Sequence, residues 1–252
     1  MNARLVGGLA GAALLTSAAV LLPPVAPAAF AKPCADVEVI FARGSDEPPG
    51  VGKVGQALVD ALRSDVTDRS IAVYPVNYPA VSGFSSGPDF AGSVVAGIRD
   101  EAAHIEWTAL DCPETQMVLG GYSQGAAVTG FVTSPSVPTG VPAELAPELP
   151  EPMPPEVVNH VMAVVLFGKP SEAFTGRYGV PPVTIGPLYA PKTSEFCAAG
   201  DTVCNGAPDG IPFGHFGYPT NGMPRQAADF AATRLNTGEV PHVTFHAWRH
   251  RG

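Results

Sequence analysis

Short apolar runs and stretches of helical spacing alternate along this chain. Residues 37–41 (Val-Glu-Val-Ile-Phe) form a β-rich run that ends in Ala-Arg-Gly-Ser. Residues 71–76 form a second run, residues 116–121 a third around Met-Val-Leu, and residues 161–167 a fourth, the most hydrophobic. A weaker fifth candidate begins at Thr184-Ile185 and leads to Leu188-Tyr189. Continuous apolar runs of this kind fit strands buried on both faces of a parallel sheet. Between them, Val54, Ala57, Leu58, Ala61 and Leu62 recur at helical spacing, as do Val94, Val95, Ile98, Ala102 and Ile105. A further helix is expected directly after Ser123, through Ala126, Ala127 and Phe131, and a late one over 227–235, stopped by Asn236-Thr237-Gly238. Strand–helix alternation throughout predicts an α/β fold, a three-layer α/β/α sandwich.

Two segments break the rhythm. Residues 135–155 contain eight prolines. Proline has a fixed φ and no amide donor, so this stretch is excluded from regular helix and from a central strand. It is expected to be a semi-extended surface excursion. At the start, a single Arg4 precedes an apolar run from Leu5 to Leu22, then Pro23-Pro24 and the small-x-small sequence Ala29-Phe30-Ala31. That order predicts a signal peptide over 1–31, a hydrolytically cut leader rather than a retained membrane anchor. The folded domain is then expected over 32–238, with a tail over 239–252. Localisation follows as secreted, either extracellular or associated with the cell wall.

Composition narrows the partners. The net charge is −9, and the leader removes only a positive residue, Arg4. An acidic domain without a basic tract argues against nucleic acid as a partner. Only 15% of residues are charged, while Gly and Pro number 28 each, which describes a sparsely charged, loop-rich domain. Cys34, Cys112, Cys197 and Cys204 make an even set, so two disulfides are expected in an oxidising compartment. Three pairings are possible. A local Cys197–Cys204 bridge is easy to close, and Cys34 would then pair with Cys112. Zinc lacks support, because no Cys-x-x-Cys or suitably spaced His accompanies these residues.

The chemistry centres on Gly121-Tyr122-Ser123-Gln124-Gly125. A serine hydroxyl is a poor nucleophile until a base takes its proton and the backbone holds its oxygen exposed. Glycines two before and two after leave room for a sharp strand-to-helix turn, and here a predicted strand precedes the serine and a predicted helix follows. On such a fold the acid and then the histidine come later in the chain. His215 lies in a glycine-rich loop with apolar neighbours. His104 and His160 read as surface or satisfied core groups, and His242, His246 and His250 as a solvent-exposed tail rather than a metal site. Asp201, inside the short Cys197–Cys204 loop, is the better acid. Asp209 is nearer in sequence to His215, but it sits in a Pro-Asp-Gly turn of the kind common on surfaces. Ile211 and Phe213 are candidates for one wall of a substrate groove, with core packing an equal explanation.

On these residues the chain resembles a known family. Gly-Tyr-Ser-Gln-Gly at 121–125, Cys-Ala-Ala-Gly-Asp-x-x-Cys at 197–204 and His215-x-x-Tyr218 resemble the cutinase family, more narrowly its secreted actinobacterial esterases. Phe-Ala-Arg-Gly-Ser at 41–45 is similar to the family's oxyanion loop. The resemblance covers the chain from about Cys34 to Leu235. It implies a central five-stranded parallel sheet, the pairs Cys34–Cys112 and Cys197–Cys204, and no cofactor or metal. It further implies Ser123 as nucleophile, Asp201 as acid, His215 as base, and Gln124 and Ser45 as oxyanion donors. The expected activity is hydrolysis of short- to medium-chain acyl or lipid esters by a monomer. Two other readings share the scaffold: an acyltransferase using the same acyl-enzyme, and a non-catalytic wall-binding or host-interacting protein. The excursion over 135–155 is longer than the family's usual connection, and the tail lies beyond the family core.

Overall fold

The computed structural model describes residues 34–83, 87–207 and 213–237. The expected leader, the tail from 239, Asp209, Ile211, His242, His246 and His250 lie outside the described residues. Five strands, β1 (Val37–Ala42), β2 (Ile71–Pro75), β3 (Gln116–Tyr122), β4 (Val161–Phe167) and β5 (Thr193–Phe196), form one parallel sheet in the order β2-β1-β3-β4-β5. Helices α1 (Gly52–Asp65) and α5 (Met223–Thr237) pack in one buried cluster with the inner side chains of β1 and β4. Helices α2 (Pro88–Asp111) and α3 (Gln124–Val132) pack in a second. The three-layer α/β/α sandwich is therefore realised, with a core on each side of the sheet.

Topology positions the site. The chain leaves β1 toward β2 on one side and returns to add β3 on the other, so the strand order reverses between β1 and β3. In open parallel sheets, ligand sites collect at the carboxyl ends of the strands flanking such a reversal. Ala42 pairs with Gly121 across that junction, which sets the loop after β1 beside the turn after β3.

The fifth strand is a correction. It lies at Thr193–Phe196, paired with Val164–Phe167 of β4, not at 184–189. Pro187 has no amide to donate to a ladder. The segment instead packs Val183 and Ile185 against α3 at Gly130, and the Gly186 amide donates to the Thr133 carbonyl at 2.8 Å. The true edge strand, Thr-Ser-Glu-Phe, is half exposed and carries no apolar run to announce it. A short helix, α4 (Glu172–Arg177), has no counterpart in the sequence reading. Its cap is Ser171, whose Oγ accepts the Phe174 amide at 3.2 Å.

The proline-rich excursion holds two short 3-10 turns, Ala146–Glu148 and Pro155–His160, and otherwise runs irregularly. It does not float: Met153, Val157 and Val158 are buried in the second cluster and Leu149 packs against it. His104, expected to be surface or satisfied core, stacks on Tyr74 with ring centroids 3.4 Å apart, its Nε2 3.1 Å from Glu38 Oε1. Among the described residues no helix is long and apolar enough to cross a membrane.

Candidate active site

Ser123 occupies the turn between β3 and α3 with φ of 56°, a left-handed conformation that a non-glycine residue adopts only at a cost of order 1–3 kcal/mol. The turn is tight because its neighbours are glycines. A Cβ on Gly121 would stand 2.3 Å from the Gly125 carbonyl oxygen, and one on Gly125 would stand 2.0 Å from that of Ala42. The Ser123 amide donates to the Phe167 carbonyl at 2.9 Å, tying the turn to the end of β4. Its own carbonyl accepts the Ala127 amide at 3.1 Å, which starts the helix. As the first residue of α3, Gln124 has no helical acceptor for its backbone amide. That free donor and the helix dipole both favour negative charge beside the serine oxygen.

The structure brings Ser123, His215 and Asp201 together from three distant parts of the chain. His215 Nε2 lies 2.8 Å from Ser123 Oγ, and His215 Nδ1 lies 2.9 Å from Asp201 Oδ2. All three residues are buried or nearly so. Burial alone would push the Asp201 carboxyl up. Hydrogen bonds from His215 and Tyr218, the His215 charge and the Val203 amide outweigh it and hold that carboxyl below its ordinary value. Tyr218 Oη donates to Asp201 Oδ2 at 2.7 Å, and the Val203 amide donates to Oδ1 at 2.9 Å.

Both expected disulfides are present, Cys34–Cys112 and Cys197–Cys204. The second closes the loop that carries Asp201. His215 sits on a 3-10 turn, Phe213–Phe216, whose backbone carbonyl at His215 accepts the Tyr122 hydroxyl. Gly168, at φ of 58°, lies where a side chain would strike the pair: its Cβ would meet His215 Cε1 at 2.9 Å and Asp201 Oδ2 at 3.0 Å.

The loop after β1 is built around the side chains of Arg43 and Glu47. The buried Arg43 forms no salt bridge among the described residues. It donates instead to the Glu47 carbonyl at 2.8 Å and to those of Val76 and Tyr78, while the Tyr78 hydroxyl donates to the Arg43 carbonyl. Glu47 accepts the Gly44 amide at one oxygen and the Lys53 amide of α1 at the other, both at 2.8 Å. A Cβ on Gly44 would meet the Tyr122 ring at 2.6 Å, so this loop lies against the residue preceding the serine. Ser45 is partly buried there and lines an open cleft with Tyr122 and Phe216. Gln124 is fully buried, its Nε2 donating to the Val81 carbonyl at 3.0 Å.

Phe213, a candidate for one wall of a substrate groove, is 75% exposed, and Phe216 is 70% exposed, so core packing does not account for either ring. Tyr218 and Tyr122 were visible inside the quoted motifs, yet nothing in their spacing says which polar atom each hydroxyl meets. Together, a buried carboxylate, an imidazole, a hydroxyl and free helix amides can move a proton off an oxygen and stabilise the oxyanion of a tetrahedral adduct.

Comparison with known proteins points the same way. A family model described as Cutinase matches residues 33–235. A probable carboxylesterase of Mycobacterium tuberculosis, Culp7, is 54% identical over 173 residues, covering 68% of this chain and 89% of its own. Carboxylesterase Culp1 of the same organism is 42% identical, covering 94% and 99%. Phospholipase Culp4 is also 42% identical, covering 92% and 93%. Among solved structures, a Trichoderma reesei cutinase in complex with a phosphonate inhibitor superposes with TM-score 0.57 at 31% identity, covering 81% of this chain and 78% of that one. The catalytic core of an acetyl xylan esterase from Trichoderma reesei gives TM-score 0.63 at 25% identity, covering 80% and 100%.

Proposed function

The chain belongs to the cutinase family and is a serine carboxylic ester hydrolase, and from that premise we propose that it works through a Ser123–His215–Asp201 triad and a covalent acyl-enzyme. The observation that carries this reading is the unbroken hydrogen-bonded series from Tyr218 through Asp201 and His215 to Ser123 Oγ. His215 Nε2 removes the Ser123 proton as Oγ attacks the ester carbonyl. Asp201, kept ionised, holds the ring so that Nδ1 carries its proton and stabilises the imidazolium that forms. The Gln124 amide and Ser45 donate to the oxyanion. The alcohol leaves with the proton from Nε2. Water, deprotonated by the same nitrogen, then attacks the acyl carbon and releases the acid.

The substrates are acyl or lipid esters, and the phospholipase among the relatives supports lipid esters within that class. The working unit is a monomeric domain over 32–238, exported by a leader cut after Ala31 and needing no cofactor. Two disulfides support an oxidising destination. The test is covalent labelling with a fluorophosphonate together with hydrolysis of p-nitrophenyl butyrate. The wild type is expected to label and turn over, and Ser123→Ala to do neither, with a loss of at least about 10⁴-fold in kcat. Undiminished turnover by a folded Ser123→Ala protein would overturn the assignment.

A further inference from the structure

A partly enclosed cavity of about 300 Å³ lies between the first half of α2, α3, the proline-rich excursion and the segment after β4. None of the described residues that line it is charged, and its walls include Phe90, Val94, Ala127, Leu149 and Val183. Cores pack to crystal-like density and keep few hollows larger than a water molecule, so a void of this size beside the core calls for an occupant. Its volume falls at the lower end of small-molecule sites. Two wall residues place it at the catalytic end of the sheet. Ala127 is the residue whose amide bonds to the Ser123 carbonyl, one helical turn on. Pro170 follows by two positions Gly168, which abuts His215 and Asp201.

The composition of the wall gives the excursion a reason. Pro88, Pro138, Pro142, Pro170 and Pro181 all line the cavity. An alkyl chain laid against ordinary backbone would bury amide donors that it cannot satisfy. Proline has no such donor, and its fixed φ keeps the wall open without an occupant. The open hollow beside Ser45 and Tyr122 differs. The open cleft of about 960 Å³ along Ser45 is lined by Asp46, Glu47, Lys53 and Asp60. Charged groups there favour a hydrated leaving alcohol and the incoming water over a hydrocarbon.

We infer that the α2–α3 cavity is the acyl-chain site of this hydrolase, and that the proline-rich excursion sets the chain length it accepts. The inference rests on the acyl-enzyme reading, because the acyl group alone stays tethered to Ser123 through both steps and gains from an enclosed berth. With each methylene taking about the volume of a water molecule, roughly 30 Å³, the cavity holds an acyl chain of about ten carbons. The substrate class is therefore medium-chain acyl esters rather than acetates.

The test compares p-nitrophenyl butyrate and decanoate, and separately measures decanoate binding to the Ser123→Ala protein by calorimetry. The wild type is expected to favour decanoate at least tenfold in kcat/KM. Ala91→Phe on α2 and Val141→Trp on the excursion each fill the cavity from a different wall. Each is expected to lower the decanoate-to-butyrate ratio at least tenfold and, combined with Ser123→Ala, to abolish decanoate binding. A ratio left unchanged in whichever variant folds by circular dichroism, including an equal loss on both esters, overturns the inference. Failure of the wild type to hydrolyse either ester would instead sink the catalytic reading, and decanoate binding would still decide the cavity.

Discussion

The two halves of the proposed catalytic arrangement are held by different physics. Ser123 is fixed by local covalent geometry, a left-handed residue between a strand and a helix with glycines at 121 and 125, where a Cβ would stand 2.3 Å and 2.0 Å from a backbone carbonyl oxygen. Asp201 and His215 lie between β5 and α5, outside the strands and long helices of the described residues. There a disulfide, two tyrosine hydroxyls and one backbone amide supply the restraint. The elbow is thus specified by what is absent, namely side chains, whereas around Asp201 and His215 the close glycines Gly168 and Gly214 are joined by donors brought in from a distance. Damage to the first should be steric and all-or-none. Damage to the second should be graded, because each restraint is one of several.

The sharpest exception to that grading is the acid itself. Asp201→Asn should lower kcat about 10⁴-fold with little change in KM, because the amide holds the wrong tautomer of His215. Steady-state kinetics on p-nitrophenyl butyrate checks it, and a loss under tenfold would remove Asp201 from the role. Next comes the elbow. Gly125→Ala forces a methyl into the Ala42 carbonyl, and activity should fall at least about 100-fold together with destabilisation of about 2 kcal/mol or more. Chemical denaturation and kinetics on the same sample would show whether the two losses travel together, as an all-or-none site requires.

Removing the loop's staple should be milder. The double change Cys197→Ser with Cys204→Ser opens a loop of sequence separation 7, for which chain entropy predicts a loss of roughly 2 kcal/mol. Turnover should drop severalfold rather than vanish. Milder again, Tyr218→Phe removes one donor from Asp201 and should cost roughly 1 kcal/mol and a few-fold in kcat. The pH dependence carries a sign. A carboxyl held low in the fold stabilises it above the unfolded-state value, about 3.9, and that stabilisation is lost as pH falls through the folded value. The stability gap between wild type and Tyr218→Phe should therefore be widest at neutral pH and close in acid, as urea titrations at pH 7 and pH 3 would show.

The smallest effect tests the elbow from behind. Glu101 of α2 is fully buried, and its Oε2 accepts the hydroxyl of Thr129 on α3 at 3.1 Å. Burial holds its carboxyl well above the usual range. For a raised acid the sign reverses: stability is greatest below the unfolded value, about 4.3, and declines as pH climbs toward the folded one. Glu101→Gln should raise the thermal midpoint by a few degrees at pH 8, roughly 1 kcal/mol, and by nothing at pH 4, with kcat unaltered. A fall in kcat would mean that the elbow depends on this carboxyl.

How much of this was legible follows the same division. The elbow could be read because G-x-S-x-G encodes its own sterics within five residues, and the apolar run of β4 announces a strand buried on both faces. Asp201 could be chosen because a short disulfide loop is a local constraint. Thr193–Phe196 was not legible as a strand, since a half-exposed edge needs only a neighbour with free carbonyls and amides, here β4, and no hydrophobic pattern. Phe213 was not legible as core or groove wall, because one residue type serves core, groove and surface alike; the structure leaves its ring exposed.

By itself, then, the sequence determined the sandwich and the serine turn, features written in spacing and short-range sterics, while the full set of cysteine pairs came with the family resemblance. Only the tertiary structure decided that Tyr218 bonds to Asp201, that Glu47 binds the loop after β1 to α1, and that the proline-rich excursion lines an apolar hollow beside α3. A hydroxyl, a carboxylate or a proline has the same local meaning wherever it falls. Its partner is set by which distant segments the sheet brings to one edge.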